Sequence, residues 1–188
     1  MYKGIMQGIQ NTVFINQKKF KVLIKESEIQ QLVSNIAERI NEDYIGKHPL
    51  FLIVLKGSMF FASDLLRKIE LECEIDTVSA KSYGNYMKST GEVNLMISKL
   101  DVTGKDIIII EDIVDTGYTL NKLIDKLKFL NPASIEVATL LSKPSMRKIN
   151  IDLKYIGLEI PPFFVIGYGL DFAELGRNLP AIYSHEEE

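Results

Sequence analysis

The stretch Ile107-Ile108-Ile109-Ile110-Glu111-Asp112-Ile113-Val114-Asp115-Thr116-Gly117-Tyr118-Thr119 runs from an apolar strand through three carboxylates into a turn. Four consecutive isoleucines are typical of a strand that is buried on both faces, as in parallel sheets covered by helices. The carboxyl ends of such strands border the binding crevice of α/β proteins. The stretch therefore predicts a binding site where this strand ends and the next helix begins.

The polar groups of this stretch suit a ribose 5-phosphate. Glu111 and Asp112, which we expect at the strand end, offer carboxylate oxygens to a vicinal diol. The N-terminus of the next helix offers unpaired backbone N–H groups to an anion. The loop that would surround the phosphate consists of Thr116, Gly117, Tyr118 and Thr119.

Apolar spacing on either side of the stretch predicts alternating strands and helices. Helices are expected over about 26–43, from Met59 onward and after Tyr118; strands are expected at 50–55, 74–82, 93–98, 106–110 and 134–141. This alternation indicates an α/β protein with a mainly parallel sheet flanked by helices. Residues 1–20 show no clear periodicity, and about 145–183 contain short apolar strands that suggest a small appended lobe.

Composition narrows the class of protein. A chain of 188 residues suits one domain, here residues 1–188. The net charge of −3 argues against a general nucleic-acid binder, which would carry a basic face. The single Cys73 cannot form an intrachain disulfide, and no apolar stretch is long enough for a signal peptide or a membrane span. We therefore expect a cytoplasmic protein with no membrane partner.

The motifs, taken in order, resemble those of the type I phosphoribosyltransferases. The opening stretch resembles the loop that binds phosphoribosyl pyrophosphate (PRPP), and Leu55-Lys56-Gly57-Ser58 resembles the pyrophosphate loop. Further landmarks follow in the order of the hypoxanthine-guanine branch of the family: Ser82-Tyr83-Gly84, Lys143-Pro144, Phe164-Val165, Asp171 and Arg177. The resemblance covers about residues 20–180, nearly the whole chain.

The resemblance implies a fold and a reaction. The fold would be the type I phosphoribosyltransferase fold, with a small hood lobe formed mainly by about 145–183 and the N-terminal segment. The reaction would be purine salvage, in which Mg²⁺-dependent transfer of the 5-phosphoribosyl group from PRPP to N9 of hypoxanthine or guanine gives IMP or GMP and pyrophosphate. A homodimer or homotetramer is also implied.

The resemblance assigns roles around the ribose and the leaving group. Asp115 would accept the proton from the purine ring and also belong to the PRPP loop. Lys56, Gly57 and Arg177 would bind pyrophosphate, and the peptide before Lys56 can be cis in related enzymes. The metal ligands implied are Glu111, Asp112 (through metal-bound water) and Asp171, the last for a second Mg²⁺.

The remaining implied residues concern the purine and a lid. Lys143 would donate to the purine O6, and Phe164 would stack on the ring. Val165 and Asp171 would offer backbone carbonyls to the edge of the base. Ser82, Tyr83 and the segment up to residue 92 would close over the site. Gly176 stands where bulkier residues are usual, which predicts a looser placement of the following arginine.

Several of these residues also have a simpler structural explanation that requires no ligand. Asp115 would serve as a helix N-cap, residues 56–58 as an ordinary turn, and Asp171 with Arg177 as a surface ion pair. Glu111 and Asp112 would be a solvated strand end, Phe164 would simply pack in the hood, and Lys143 would be an exposed charge before a proline. For the whole chain, a phosphorelay receiver domain is disfavoured because its acidic pair belongs on the first strand. A non-catalytic PRPP-binding regulator and a xanthine-preferring enzyme remain open.

Overall fold

The structure is a computed structural model that describes residues 11–83, 92–96 and 101–185. These residues form two sheets with flanking helices. The strands are β1 Thr12–Ile15, β2 Lys18–Ile24, β3 Leu50–Leu55, β4 Glu74–Tyr83, β5 Glu92–Met96, β6 Asp106–Val114, β7 Ser134–Ser142, β8 Tyr155–Glu159, β9 Phe164–Ile166 and β10 Ile182–His185. The helices are α1 Glu26–Asp43, α2 Met59–Leu66 and α3 Tyr118–Lys128.

The large sheet has the strand order β5-β4-β3-β6-β7-β8. Every neighbouring pair in it is parallel except β4 and β5, which are antiparallel. The expected α/β class and the mainly parallel sheet are therefore confirmed. The predicted bounds of α1 and β3 also agree with the observed ones.

The isoleucine run explains why the centre of this sheet is covered on both faces. Ile108 and Ile110 pack in the core cluster that contains the apolar residues of α1 and α2. Ile107 and Ile109 pack in a second cluster, with the apolar residues of α3. Because successive strand residues point to opposite faces, a continuous apolar run is needed to fill both layers.

Strand β6 is longer than the sequence predicted. It was expected over 106–110 but extends to Val114, because Ile113 and Val114 continue to pair with Leu141 and Ser142 of β7. Glu111 and Asp112 consequently lie within the strand and not beyond its end. The prediction stopped too early because the carboxylates interrupt the apolar run, while the pairing partner that extends the strand lies about 28 residues further on.

The small sheet has the order β1-β2-β10-β9, with all neighbours antiparallel. The absence of periodicity expected up to residue 20 was wrong for the described part, because β1 and β2 form a hairpin. Its two-residue turn places Asn16 and Gln17 at positive φ (48° and 64°), the geometry of the tight turns that match strand twist. The glycine that usually marks such a turn is missing, which hid the hairpin.

The range 145–183 is divided between the two sheets. β9 and β10 belong to the small sheet, whereas β8 pairs in parallel with β7 and extends the large one. The assignment of this whole range to a hood therefore needs correction at β8. Gly157 permits that pairing, because a Cβ atom there would lie 2.6 Å from the carbonyl oxygen of Leu140. No helix in the described ranges is long and apolar enough to cross a membrane.

Replacing Ile108 with alanine tests the two-layer core. Ile108 is fully buried, so we expect Ile108→Ala to lower the free energy of unfolding by about 2–5 kcal/mol through lost burial and a residual cavity. Phe129→Ala is the control, because Phe129 is 84% exposed and its removal should change the value by less than about 0.5 kcal/mol. Urea unfolding of both variants measures the difference, and equal effects would contradict this core.

Candidate active site

The candidate site lies where β3 and β6 stop pairing. The two strands pair in parallel only as far as Ile53 and Ile110. Beyond that point the end of β3 pairs with β4, and β6 continues with β7. Because β3 pairs onward with β4 on one side and β6 pairs onward with β7 on the other, the strand order reverses between β3 and β6. Such a reversal is where α/β sheets open a binding crevice. The turn at 56–58 borders one side of this crevice and the 111–112 carboxylates border the other.

Two glycines bring three chain segments together at backbone distance. A Cβ atom on Gly57 would lie 1.7 Å from Oδ2 of Asp112, and one on Gly169 would lie 1.9 Å from the carbonyl oxygen of Gly57. The peptide bond between Leu55 and Lys56 is cis, as the sequence resemblance allowed. The predicted pyrophosphate turn is thus packed between the acidic strand and the loop that carries Gly169.

The acidic pair is held in an unfavourable environment. Glu111 and Asp112 are half-buried, and Oε2 of Glu111 is buried without a hydrogen-bond partner. Burial raises the pKa of Glu111 well above its ordinary value, and the neighbouring Asp112 charge raises it further. Burial also raises the pKa of Asp112. The hydrogen bond from the Ile113 N–H and the positive charge of Arg177 lower that pKa and so offset part of the effect. A buried, unpaired carboxylate oxygen is available to a ligand, so the solvated-strand-end reading is not supported.

The turn before α3 has the backbone that a phosphate loop requires. Gly117 is the N-cap of α3 with φ of 86°, and it carries no side-chain cap. The carbonyl oxygen of Thr116 accepts the Lys148 N–H at 3.0 Å, which anchors the turn to the segment after β7. Because Gly117 occupies the N-cap, the alternative reading of Asp115 as that cap is wrong.

Lys143 and Asp115 face each other across the end of the sheet. Nζ of Lys143 lies 3.4 Å from Oδ2 of Asp115, and the other oxygen of Asp115 is buried without a partner. Lys143 is only 7% exposed, and its backbone N–H donates to the Val114 carbonyl at 2.9 Å. The reading of Lys143 as an exposed charge is therefore wrong. The structure thus brings together Lys143 and Asp115, two of the residues expected to contact the purine.

Arg177 is held by several partners. Its Nη1 donates to the Gly169 carbonyl at 2.7 Å, and its Nη2 lies 2.7 Å from Oδ1 of Asp171. The side chains of Arg177 and Asp171 are only 22% and 27% exposed, so this is not a surface ion pair. Gly176 has φ of 91° and forms the preceding turn. The expected loosening by Gly176 is not seen in this structure, because the Gly169 carbonyl and Asp171 orient the guanidinium.

Phe164 belongs to an aromatic cluster in the hood. Its ring meets Phe172 edge-on at 5.7 Å between centroids and lies 6.4 Å from the ring of Phe20. Phe164 is half-buried and the following Val165 is buried. These contacts agree with the packing role that was weighed for Phe164, and its stacking on a base stays a prediction.

Two features of the site were not predicted. Nζ of Lys56 lies 3.0 Å from Oε2 of Glu174, a contact across 118 residues of chain. The Tyr168 hydroxyl donates to Oδ2 of Asp64 at 2.6 Å, and the Gln30 amide donates to the same oxygen at 2.6 Å. The nearness of Glu174 to Arg177 in sequence was a usable signal, but nothing local indicated the contact with Lys56.

The predicted lid lies mostly outside the described residues. The backbone of Ser82 and Tyr83 pairs with Val93 and Glu92 at the end of β4. Their side chains and residues 84–91 are not among those described, so the lid stays a prediction.

The carboxylates are of the kind that would contact a Mg²⁺ ion held largely by substrate phosphates. Within residues 11–83, 92–96 and 101–185, no three His, Cys, Asp or Glu side chains form a cluster that could hold a metal. Mg²⁺ commonly uses one or two carboxylates together with substrate phosphates and water. Glu111 and Asp112 supply such hard oxygen ligands, one of them unpaired. Both oxygens of Asp171 are engaged, one by Arg177 and one by the Glu174 N–H, so a metal there would have to displace a partner.

Comparisons with known proteins agree with this geometry. Residues 24–173 match the family model described as the phosphoribosyl transferase domain. Hypoxanthine-guanine phosphoribosyltransferase of Bacillus subtilis is 46% identical over 86% of this chain and 91% of its own. The bifunctional protein TilS/HprT of Listeria monocytogenes is 42% identical over 86% of this chain, which spans only 25% of that protein. A hypoxanthine-guanine phosphoribosyltransferase structure from Bacillus anthracis superposes with a TM-score of 0.82 at 42% identity, covering 88% of this chain and 98% of that one.

Gly169→Ala tests the close approach of the hood loop. Gly104→Ala is the matched control, because both glycines have positive φ (100° and 70°) and a Cβ on Gly104 would meet nothing within 4 Å. Both changes incur left-handed strain of about 1–2 kcal/mol. Gly169→Ala must also displace the Gly57 carbonyl, so we expect an additional loss of about 1–3 kcal/mol in the free energy of unfolding. Equal losses in urea unfolding would contradict the contact.

Glu111→Gln tests the burial of charge. A carboxyl whose pKa is raised by folding contributes stability that is present below its unfolded pKa and lost as pH rises through its folded pKa. The variant removes this dependence, so we expect it to melt at a higher temperature than the parent at pH 8. The difference should shrink toward pH 4. Glu42→Gln, at an exposed position of α1, is the control. A variant less stable than the parent at pH 8 would count against the assignment.

Proposed function

This chain belongs to the phosphoribosyl transferase domain family, and we propose that it transfers the 5-phosphoribosyl group of PRPP to N9 of hypoxanthine or guanine. The products are IMP or GMP and pyrophosphate. The observation that carries the proposal is the buried Lys143 beside Asp115, at the edge of the crevice between β3 and β6. This pair joins a donor for a purine oxygen to an acceptor for a purine proton, next to the acidic strand and the phosphate turn.

Charge is distributed as the reaction requires. Departure of pyrophosphate leaves positive charge on the ribose, which the carboxylates of Glu111 and Asp112 stabilise from the strand. Their oxygens accept hydrogen bonds from the ribose hydroxyls, so PRPP supplies the partners that these buried groups lack. Negative charge grows on the leaving group, where Lys56 and Arg177 bind it. The absence of a side chain on Gly57 lets this turn lie directly against the carboxylate of Asp112.

The turn at 116–119 holds the 5-phosphate. Residues at the start of α3 present backbone N–H groups that have no partner earlier in the helix. The hydroxyls of Thr116 and Thr119 add donors of the kind that bind phosphate. The αL backbone of Gly117 shapes the turn, because a side chain there would be strained and would meet Cδ1 of Ile151 at 3.0 Å.

The purine is bound by groups from the large sheet and the hood. Lys143 donates to the O6 carbonyl, and Phe164 provides an aromatic face. The backbone carbonyls of Val165 and Asp171 accept from the edge of the base. Asp115 accepts the proton that the purine ring releases when N9 forms its bond to the ribose, and Nζ of Lys143 lies 3.4 Å from its Oδ2.

Mg²⁺ is the proposed cofactor, with Glu111 and Asp112 as its protein contacts and Asp171 as a contact for a second ion. When bound, the metal neutralises charge on the pyrophosphate. The oxygen donor set and the unpaired Oε2 of Glu111 support this proposal. We also propose that residues 1–188 act as one cytoplasmic phosphoribosyltransferase domain in a homodimer or homotetramer, with Ser82 and Tyr83 in a lid. Light scattering tests the assembly.

The decisive experiment measures products. The chain is incubated with PRPP and Mg²⁺ and with hypoxanthine, guanine or xanthine, and nucleotide and pyrophosphate are quantified. Turnover of hypoxanthine or guanine that stops on chelation of Mg²⁺ is expected. The highest kcat/KM with xanthine would instead identify a xanthine-preferring enzyme. PRPP binding without turnover of any purine would identify a non-catalytic regulator.

Asp115→Asn separates proton transfer from PRPP binding. We expect it to keep PRPP affinity and to lower kcat by on the order of 10²-fold or more, because the amide cannot accept the proton. Glu111→Gln combined with Asp112→Asn should weaken PRPP binding as well. Asp125→Asn, at an exposed position of α3, is the control and should behave as the parent. Small and equal effects of Asp115→Asn and the double change would show that the roles are misassigned.

Lys143→Gln tests recognition of the purine oxygen. An ammonium group has three donors and no acceptor, so it binds the O6 carbonyl but faces the 6-amino group of adenine donor to donor. Adenine should therefore be a very poor substrate, by as much as ~10⁴-fold in kcat/KM. Lys143→Gln should lose activity with 6-oxopurines and narrow the hypoxanthine-to-adenine ratio. Lys126→Gln, exposed on α3, is the control, and an unchanged ratio for Lys143→Gln would refute this role.

A further inference from the structure

Both cations assigned to the leaving group already share an internal anion. Oε2 of Glu174 lies 3.0 Å from Nζ of Lys56 and 3.5 Å from Nη2 of Arg177. These two cations reach the same carboxylate oxygen from different parts of the chain, one from the turn after β3 and one from the hood. A pyrophosphate oxygen that bound both cations would make the same two contacts, so the two anions compete for one position.

Glu174 is held in this position by its backbone. Ala173 and Glu174 both have positive φ (54° and 65°), and the Glu174 N–H donates to Oδ2 of Asp171 at 2.8 Å. Phe172 and Leu175 exchange two backbone hydrogen bonds of 2.9 and 3.1 Å across the turn. Glu174 therefore lies at the tip of a tight, hydrogen-bonded turn. The ion pairs with Lys56 and then Arg177 lower the pKa of Glu174, so its carboxylate is charged at neutral pH.

Arg177 does not need Glu174 for its orientation. The Gly169 carbonyl and Asp171 each contact the guanidinium at 2.7 Å, closer than Glu174 does. Lys56 is different, since its side chain is 64% exposed and its ion pair with Glu174 draws its ammonium group toward the hood. Removal of the Glu174 charge should thus leave the arginine in place and release the lysine for another anion.

We propose that Glu174 is an internal competitor for pyrophosphate, which occupies Lys56 and Arg177 between turnovers and displaces the departing product from them. This inference rests on the proposed function, because it takes Lys56 and Arg177 as the leaving-group ligands. In each cycle PRPP must separate Glu174 from the two cations, and Glu174 returns as pyrophosphate leaves. Glu174 thereby lowers the affinity of the site for PRPP and for pyrophosphate. Weaker binding of pyrophosphate favours product release, a step that often limits kcat.

The exposure of the Lys56–Glu174 ion pair sets the expected size of the change in pyrophosphate affinity. Lys56 and Glu174 are 64% and 65% exposed, and ion pairs between such exposed groups are weak. Loss of the competitor should therefore tighten pyrophosphate binding by roughly two- to five-fold. A much larger change in affinity would require a buried ion pair, whereas Lys56 and Glu174 are both exposed.

The test uses the full chain and inorganic pyrophosphate with Mg²⁺, measured by isothermal titration calorimetry. Glu174→Gln should lower the Kd of pyrophosphate and the KM of PRPP by that factor and leave the KM of hypoxanthine unchanged. Glu174→Ala should act in the same direction. Glu74→Gln is the matched control: it breaks an ion pair of 2.8 Å with Lys105, Glu74 is 58% exposed, and the net charge changes equally. It lies at the start of β4, the opposite end of the sheet from the site.

A double-mutant cycle locates the effect. In a Lys56→Met background, Glu174→Gln should change the Kd of pyrophosphate less than it does in the parent, because one of the two contested cations is gone. Weaker or unchanged pyrophosphate binding in Glu174→Gln would overturn the proposal, and so would an equal gain in Glu74→Gln. These ratios are read from binding alone. Absence of purine turnover in the parent chain would refute the proposed function and leave the comparison of Kd values intact.

Discussion

The site depends on the point where β3 and β6 cease to pair, after Ile53 and Ile110. Up to that point the two central strands share hydrogen bonds and bury side chains on both faces of the sheet. Beyond it each strand pairs only outward, and the backbone between them opens. The turn at 56–58 and the acidic pair both lie at this opening because both strands run in the same direction.

The second constraint is electrostatic. Two adjacent carboxylates lie in a half-buried place where burial and mutual repulsion raise the pKa of Glu111, and one oxygen has no partner. The charge of Arg177 offsets part of this cost at Asp112. Such an arrangement lowers stability, and the diol and the metal of the proposed reaction would supply the missing contacts. On the proposed function, stability and binding make opposite demands on the same two residues.

The hood is joined to the large sheet through backbone contacts that only glycine permits, and through hydrogen bonds between polar groups. Gly169 approaches the Gly57 carbonyl, and its own carbonyl accepts from Arg177. The adjacent Tyr168 bonds to Asp64 on α2. The loop that carries Gly169 and the turn at 56–58 are consequently joined by a few short contacts. The same loop brings Glu174 to Lys56, which links the position of the hood to the charge around the turn at 56–58.

The sequence by itself determined the α/β class, the bounds of α1 and β3, and the order of the binding motifs. Helical spacing, an apolar run and a glycine turn depend on near neighbours, so they are legible in a linear chain. Tertiary structure alone decided that β6 continues through Glu111 and Asp112, that β8 joins the large sheet, and that the β1–β2 hairpin pairs with β10. It also placed Glu174 against Lys56, 118 residues away. These features depend on which backbone and side-chain groups remain unpaired when distant segments meet. A local sequence pattern does not contain that information.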